Sequence, residues 1–330
     1  MTQTLGFLIF PGFPMACLTS AIEPLRAANE IANQEVFRWR LIAETNAPVR
    51  SSSGVMFSPD DSIETPHALT HLFLISGPDA KFANPSKGNG VLRWLDRTGV
   101  ILGGFSGGIF PLARSGVLTG HSVAAHWCYD EAFKVEFPDI VTTGDVINRD
   151  RRRMTVAGGS AVFDLMLGLI EEHLDASIMT EVACWFQHPF VRSPDVQQKR
   201  PTIGSDTTED SLSKPVAQAI QMFAEHIEDP ILISDVATAI NVSPRNLERL
   251  FKRDTGESPL KYYRTLRLEK ARQMVRYSNE SIMQIALATG YFSSSSLTRH
   301  YRRQFGLAPS EERFERNAFR VSESAGPPPT

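Results

Sequence analysis

The segment LERLFKRDTG at Leu247–Gly256 recurs fifty residues later as LTRHYRRQFG at Leu297–Gly306. Both segments place an Arg two residues after the first Leu, then an aromatic residue, two basic residues and a closing Gly. A shorter match precedes each of them, since VATA at Val236–Ala239 aligns with IALA at Ile285–Ala288 at an offset of 49. The offset changes by one residue in the turn between the paired segments, where an insertion disturbs a fold least. The C-terminal third of the chain therefore contains an internal repeat.

Each copy of the repeat has the pattern of two short helices joined by a tight turn. Ser243 followed by Pro244 is a typical helix start, and Gly256 is a typical helix end. The predicted helices are Ile233–Ile240 and Arg245–Asp254 in the first copy, Ser281–Ala288 and Ser294–Gln304 in the second, and Pro259–Tyr277 between the copies. The sequence therefore predicts two helix-turn-helix motifs that a long helix holds at a fixed separation.

Basic residues on the outer face of each second helix favour DNA binding. Arg pairs with guanine in the major groove, and Ser or Thr bonds to several base edges. The late basic residues Lys252, Arg253, Arg302 and Arg303 are placed to contact phosphates. A helical bundle with a merely solvated basic face is the alternative, but it would not require two copies to agree in apolar and basic positions alike. Two such readers would enter successive major grooves, roughly 34 Å apart.

Charge divides the chain in the same way. The formal net charge is −3, which by itself argues against a nucleic-acid binder. Residues 211–330, however, carry 17 Lys and Arg against 13 Asp and Glu, whereas residues 1–210 carry 17 against 24. A basic module joined to an acidic one fits a DNA-binding part and a part with another task. Hydrophobic residues make up 42% of the chain, which is a globular composition.

The first 190 residues alternate strand-like and helix-like segments. Short apolar runs alternating with helices predict βαβ units and a mostly parallel sheet. The predicted strands are Leu5–Phe10, Trp39–Ala43, His71–Ile75, Val100–Phe105 and Met154–Ala157, and the predicted helices are Met15–Ala32, Val91–Thr98, Ser106–Ala113 and Ala161–Leu174. We thus expect an α/β domain over 1–190, a linker over 191–214, an all-α domain over 215–316 and a disordered tail over 317–330.

The N-terminal region also contains a G-x-S-x-G motif, Gly104–Gly108, directly after the strand Val100–Phe105. Such an elbow presents a nucleophile at the start of a helix, and His126 follows as a possible base. In an α/β-hydrolase, however, the acid comes next and the His comes last. A serine hydrolase or amidase tethered to DNA therefore remains the alternative to a binding domain without catalytic residues.

The C-terminal region resembles the AraC/XylS family of transcription regulators. The resemblance runs from Ile233 to about Arg313 and includes VSPRNL at Val242–Leu247, the pair Gly290–Tyr291 and FGLAPS at Phe305–Ser310. It implies a two-reader DNA module that binds promoter DNA and acts with RNA polymerase. Base contacts and phosphate contacts taken together, the expected DNA-binding residues are Arg245, Glu248, Arg249, Lys252, Ser294, Ser295, Ser296, Arg299 and Arg302.

The N-terminal region resembles the PfpI-like, class I glutamine amidotransferase-like fold, a flavodoxin-like sandwich. The resemblance rests on FPGF at Phe10–Phe13, EPLRAAN at Glu23–Asn29, the turn Ser76–Pro78 and the elbow. Active members carry a Cys at the elbow, a His in a later strand and an acidic residue after the first strand. Here Ser106, His126 and Cys17 occupy those places, which implies a degenerate catalytic site that is kept for ligand binding.

PfpI-like and AraC-like parts together resemble the amidotransferase-like AraC regulators. SAIEPLRAAN at Ser20–Asn29 and FRWR at Phe37–Arg40 are similar to the branch that senses glycine betaine, carnitine and related quaternary amines. A cation of this kind needs aromatic faces and a carboxylate. The expected ligand residues are Phe13, Glu23, Gly77, Pro78, Phe105, Ser106, His126 and Trp127. The resemblance implies that a small molecule acts as the inducer and that the protein activates a catabolic operon. It also implies a homodimer formed through the N-terminal domain.

The remaining features concern compartment and cofactors. Cys17, Cys128 and Cys184 are far apart and lack C-x-x-C spacing, so we expect no metal site, no disulfide framework and a reducing cytoplasm. The N-terminus lacks the basic start of a signal peptide, and no apolar run is long enough to span a membrane. The sequence indicates no cofactor.

Overall fold

The structure, a computed structural model, describes residues 2–65, 68–188, 192, 196–198, 212–278 and 280–313. The chain separates into two units, Met1–Gln198 and Lys199–Thr330. The predicted tail 317–330 and most of the predicted linker 191–214 lie outside the described residues. None of the described helices is long and apolar enough to cross a membrane.

The N-terminal unit alternates strands and helices, as the sequence predicts. Its elements are β1 (Gln3–Ile9), α1 (Met15–Ile31), β2 (Phe37–Ala43), β3 (Val49–Arg50), β4 (Met56–Phe57), β5 (Asp61–Ser62), β6 (His71–Ser76), α2 (Pro85–Arg97), β7 (Ile101–Ser106), α3 (Ile109–Ser115), β8 (Ser122–Ala124), α4 (Asp130–Glu136), β9 (Val141–Thr143), β10 (Ile147–Asp150), β11 (Arg153–Val156), α5 (Gly159–His173) and α6 (Ala176–Trp185).

Seven strands form one sheet in the order β10-β11-β7-β6-β1-β2-β5. Every neighbouring pair is parallel except β10 with β11, which confirms the predicted mostly parallel α/β sheet. Strand β7 lies beside β6, and their last residues, Ser106 and Ser76, are partners in register. The carboxyl ends of parallel strands are where ligands of such sheets bind. Ser106 therefore lies at the edge where a site is expected.

The core packs α1 and α5 against this sheet. Phe73 on β6 stacks between Phe7 on β1, at 6.1 Å, and Phe105 on β7, at 4.6 Å between ring centroids. All three rings are fully buried. The unit extends past the predicted boundary at 190, because the side-chain amide of Gln198 donates to the carbonyls of Ala125 and Asp145, at 2.7 and 2.9 Å.

One predicted element begins later than the sequence pattern indicated. The expected helix Ser106–Ala113 starts only at Ile109, since Ser106 still pairs in β7 and adopts a left-handed backbone with φ of 56°. A residue in that conformation ends a strand sharply and cannot belong to a right-handed helix. Helices α4 and α6 and the short strands β3, β4, β5, β8, β9 and β10 were not predicted.

The C-terminal unit is helical in its described part. Its elements are α7 (Lys214–Glu225), α8 (Ile233–Ala239), α9 (Pro244–Thr255), α10 (Pro259–Tyr277), α11 (Ile282–Ala288) and α12 (Ser294–Phe305). The five helices predicted from the repeat are confirmed to within two residues at each end. The two helix-turn-helix motifs are α8 with α9 and α11 with α12, and α7 is a helix that the repeat does not contain.

Helix α10 joins two separate hydrophobic cores. Tyr262 and Tyr263, at its beginning, pack with α7, α8 and α9. Leu268, Ala271 and Val275, further along, pack with α11 and α12. The same rigid helix therefore holds both motifs, as the sequence predicted.

Candidate DNA-binding surface and ligand site

The first reader, α9, turns its apolar face inward and its charged face outward. Ser243 caps the helix by accepting a hydrogen bond from the Asn246 backbone N–H at 3.3 Å. Leu247 and Phe251 are fully buried in the first core. The predicted DNA contacts on this helix are all exposed, namely Arg245, Glu248, Arg249 and Lys252.

The second reader, α12, repeats this arrangement. Its cap is Ser293, which accepts from the Ser296 backbone N–H at 3.2 Å, and its inward residues are Leu297 and Tyr301. The outward face borders an open concavity of about 650 Å³. That concavity is lined by Ser294, Ser295, Thr298, Arg299, Arg302 and Arg303. Ser296 is half-buried. Thr298 was missed at the sequence level, although it lies one helical turn beyond Ser294.

Several of these side chains already have weak local partners. Arg249 donates to the Asn246 side-chain oxygen at 2.9 Å, and Lys252 donates to the Gly256 carbonyl at 2.7 Å. Arg302 forms an exposed ion pair with Glu311 at 2.8 Å. Exposed pairs of this kind are worth less than about 1 kcal/mol, so phosphate or base contacts can replace them.

Helix α10 connects the two readers and packs against both motifs. Its 19 residues span roughly 28 Å at 1.5 Å per residue. Near its middle, Arg267 donates to the carbonyls of Thr289 and Gly290 and lies over the Tyr291 ring, 4.5 Å from the centroid. Arg267 therefore ties the turn of the second motif to the helix that carries the first.

The buried carboxylate of Glu312 completes the support of the second reader. It accepts hydrogen bonds from Arg272 at 2.9 Å and from Arg276 at 2.6 Å, both on α10. It also accepts from the Tyr301 hydroxyl of α12 at 2.6 Å. These contacts lower the pKa of Glu312 against the effect of its own burial. The ionised carboxylate therefore joins α12 to α10.

In the N-terminal unit, the elbow is built by close backbone approach. A Cβ on Gly108 would lie 1.9 Å from the Leu74 carbonyl oxygen, and one on Gly107 would lie 2.3 Å from the Gly77 carbonyl carbon. Only glycine fits at these two positions. The packing brings Gly77 and Pro78 against the elbow, where the left-handed Ser106 is presented.

Ser106 forms a hydrogen bond with Tyr129, a residue that the sequence analysis did not predict. Its hydroxyl and the Tyr129 hydroxyl are 2.7 Å apart. The backbone N–H of Gly107, where an acyl-transfer enzyme takes an oxyanion donor, instead donates to the Ser76 carbonyl at 2.9 Å. The only signal for Tyr129 in the sequence was its place three residues after His126.

His126 and its neighbours form an aromatic cluster next to this pair. The His126 ring lies 5.5 Å from Trp127 and 5.4 Å from Tyr129, measured between centroids. Its Nδ1 is 3.0 Å from the Cys128 sulfur and accepts from the Cys128 backbone N–H at 3.2 Å. Burial lowers the pKa of the imidazole below its usual value, so the ring is neutral at pH 7.

The remaining predicted site residues are buried or already have a partner. Cys17 is buried in α1, and burial raises the pKa of its thiol to about 12, so it carries no charge. Glu23 is exposed on α1 and pairs with Arg26 at 3.0 Å. Phe13 and Phe105 are fully buried. The residues that the structure brings together are thus Gly77, Pro78, Ser106, His126 and Trp127, with Tyr129 added.

This arrangement offers two hydroxyls and three aromatic rings without a charged side chain among them. Hydroxyls bind a carboxylate or a polar ligand group by hydrogen bonds, and aromatic faces attract a cation.

Comparison with known proteins agrees with both units. A family model described as a helix-turn-helix domain matches residues 236–314. The HTH-type transcriptional regulator CdhR of Pseudomonas aeruginosa is 34% identical over 95% of this chain and 92% of its own length. The HTH-type transcriptional regulator GbdR of the same species is 31% identical over 94% of this chain and 84% of its own length.

Two solved structures share parts of the fold. A ThiJ/PfpI family protein from Pseudomonas syringae has a TM-score of 0.50 and 20% identity over 73% of this chain and 90% of its own. An AraC family transcriptional regulator from Pseudomonas putida has a TM-score of 0.51 and 23% identity over 56% of this chain and 99% of its own. Together with the full-length regulators that it resembles, this places the chain in the AraC/XylS family of transcriptional regulators, among those with a PfpI-like N-terminal domain.

Proposed function

We propose that the chain is a ligand-responsive, sequence-specific DNA-binding regulator that activates a catabolic operon. The observation that carries the DNA part is the pair of capped, basic readers, α9 and α12, fixed on one helix. The observation that carries the ligand part is the uncharged cluster around Ser106. We further propose that the protein acts as a homodimer through its N-terminal unit and together with RNA polymerase.

We propose a quaternary amine with a carboxylate, such as glycine betaine or carnitine, as the ligand. The rings of Trp127, His126 and Tyr129 would face the cationic group, and the neutral imidazole would not repel it. The carboxylate would replace the bond between the Ser106 and Tyr129 hydroxyls and accept a hydrogen bond from each of them. This arrangement does not require Glu23, whose exposed carboxylate pairs with Arg26.

The DNA part is tested by selection of duplexes from a random pool with the full chain. The selected site should be bound specifically, and the affinity should fall steeply with salt because phosphate contacts release counterions. Arg249→Ala and Arg299→Ala should each weaken binding to this site by roughly 1–3 kcal/mol and relax the sequence preference of the protein. Lys252→Ala should weaken binding to all duplexes about equally, since a phosphate contact carries no sequence information. Equal affinity for selected and random DNA would refute the proposal.

The ligand part is tested by the thermal stability of the full chain with glycine betaine or tetramethylammonium. All four Trp residues lie in the N-terminal unit, so their fluorescence reports its melting. A ligand that binds the folded unit raises its melting temperature. Tyr129→Phe keeps the ring and removes the hydroxyl, so it should weaken the binding of glycine betaine more than the binding of tetramethylammonium. An equal effect on both ligands would argue against the carboxylate contact.

The alternative of a Ser106 hydrolase has one favourable observation, the left-handed elbow itself. The Gly107 N–H bond to the Ser76 carbonyl opposes it, since it occupies a backbone donor that an oxyanion hole would need. Labelling of Ser106 by an acylating probe, lost in Ser106→Ala, would favour the hydrolase over the sensor.

A further inference from the structure

Phe292 is the most exposed large apolar side chain in the described part of the chain. Its relative exposure is 96%, whereas the preceding Tyr291 is 7% exposed and belongs to the second core. The following residue, Ser293, caps α12. A fully exposed aromatic ring forgoes the favourable free energy of burial, which contact with a partner outside the chain would recover.

The internal repeat shows how Phe292 arises. In the first copy, Asn241 makes the turn with φ of 55°, and the Val242 N–H donates to the Ala237 carbonyl at 2.9 Å. The next residue, Ser243, is already the helix cap. The first copy therefore has one residue between the turn and the cap.

The second copy has two residues there. Gly290 makes the turn with φ of 71°, and the Tyr291 N–H donates to the Ala286 carbonyl at 2.8 Å, as Val242 does in the first copy. Phe292 then follows before the cap Ser293. Phe292 is thus the extra residue that shifts the repeat offset from 49 to 50. No residue of the first reader corresponds to it.

The position of Phe292 places it at the end of the reader that meets base edges. The N-terminal residues of a recognition helix contact bases in the major groove. Phe292 directly precedes the cap, and Ser294, Ser295 and Arg299 line the concavity that begins there. The bases offer one apolar group in that groove, the thymine C5-methyl, and Phe is among the side chains that contact it.

The surroundings favour DNA over an apolar protein partner. Three arginines, Arg299, Arg302 and Arg303, line the same concavity, and a basic surface attracts a polyanion. Phe292 directly precedes the cap of the same helix, so its ring would be covered when α12 enters the groove.

We propose that Phe292 reads a thymine methyl at the edge of the site bound by the second reader. This rests on the proposed DNA-binding function and adds to it a base preference that the serines of α12 do not supply. The first reader lacks this contact, so the preference is confined to one half of the site.

The test is selection of duplexes from a random pool with the full wild-type chain and with Phe292→Ala. The wild-type motif should contain a thymine position, in the half bound by α12, that disappears in the variant while the other positions remain. Leu232→Ala is the matched control, because Leu232 is 67% exposed but precedes the supporting helix α8 rather than a reader. It should leave every position unchanged.

A second measurement removes the methyl from the DNA instead of the ring from the protein. Deoxyuridine in place of that thymine should weaken wild-type binding by about fourfold, the factor for one buried methyl group. The same change should have no effect on Phe292→Ala, because the two groups form one contact.

Each outcome decides the proposal. If no motif is enriched, the DNA-binding function fails and this inference fails with it. If a motif is enriched but Phe292→Ala keeps the thymine position, or loses affinity for all sequences equally, the inference alone is overturned. Insensitivity of the wild-type protein to deoxyuridine at every thymine of the motif would overturn it as well.

Discussion

Gly108 is the tightest single residue in the elbow of the N-terminal unit. An added Cβ would lie 1.9 Å from the Leu74 carbonyl oxygen, and backbone cannot yield as a flexible side chain can. We expect Gly108→Ala to lower the free energy of unfolding of this unit by about 3 kcal/mol, at the upper end of overpacking effects. Urea unfolding followed by Trp fluorescence measures it, because the unit contains Trp39, Trp94, Trp127 and Trp185.

The matched control is Gly90→Ala. Gly90 lies inside helix α2, and nothing is within 4 Å of its added Cβ. Alanine is the better helix former, so this variant should gain about 0.5–1 kcal/mol. If Gly108→Ala lost no stability relative to Gly90→Ala, the elbow would tolerate a side chain and its close packing would not be what presents Ser106.

At this scale the sequence predicted Ser106 but not its partner. The G-x-S-x-G spacing located the elbow because the chemistry of a tight strand-to-helix turn is local. Tyr129 lies 23 residues away, and its approach depends on how the chain after β8 folds back, which no local pattern shows. The ion pair of Glu23 was readable, since Arg26 follows it at the i,i+3 spacing of a helical ion pair.

Among the elements, the contact of the second motif's turn with the segment between α7 and α8 depends on Gly290. Its φ is 71°, and an added Cβ would lie 2.6 Å from the Ile227 carbonyl oxygen and 2.7 Å from Pro230, in the segment between α7 and α8. Gly290→Ala should therefore lower the stability of the C-terminal unit by about 2–4 kcal/mol, part from the backbone strain and part from the clash. Circular dichroism at 222 nm during urea unfolding measures it.

Gly256→Ala separates the two contributions. Gly256 has a similar φ of 74°, but nothing lies within 4 Å of its added Cβ, so only the strain of about 1 kcal/mol applies. Gly290→Ala should also weaken binding to a duplex that contains both half-sites more than binding to a duplex that contains one, because it alters the spacing of α9 and α12. Equal losses in the two variants would contradict a close contact between Gly290 and the segment that joins α7 to α8.

Long helices were predictable and short elements were not, for a physical reason. The spacing of apolar residues over Pro259–Tyr277 carries the signal of a buried stripe along five turns. Strands β8 and β9 have three residues each and exist because they pair with each other, which periodicity cannot show. The late start of α3 had a different cause, since the left-handed backbone of Ser106 is set by the packing of Gly107 and Gly108.

For the whole molecule, the division of charge was visible in the sequence before any fold was known. The basic residues concentrate in the repeat because the readers need them, and the acidic excess lies in the other unit. The boundary was less visible. Residues 196–198 belong to the N-terminal unit through contacts such as that of Gln198 with the Trp127 backbone N–H at 2.9 Å. Composition marked this segment as a linker because its polar side chains bond to backbone rather than fill a core.

The proposed regulation requires the two units to be coupled, and coupling between binding sites is reciprocal. If saturating glycine betaine raises the affinity for the selected duplex by some factor, typically about 5–150-fold, then saturating duplex must raise the affinity for glycine betaine by the same factor. Fluorescence anisotropy of a labelled duplex measures the first factor. Trp fluorescence, which arises in the N-terminal unit, measures the second.

The Arg249→Ala, Arg299→Ala double variant provides the control. Both side chains are exposed on the readers, so the variant should fold and bind glycine betaine as the wild type does without DNA. Adding duplex should then leave its ligand affinity unchanged, since only engagement of the readers can transmit an effect. A ligand has to bind two states unequally in order to shift them. If glycine betaine and duplex both bind but neither changes the affinity for the other, then the cluster around Ser106 binds its ligand without regulating DNA binding.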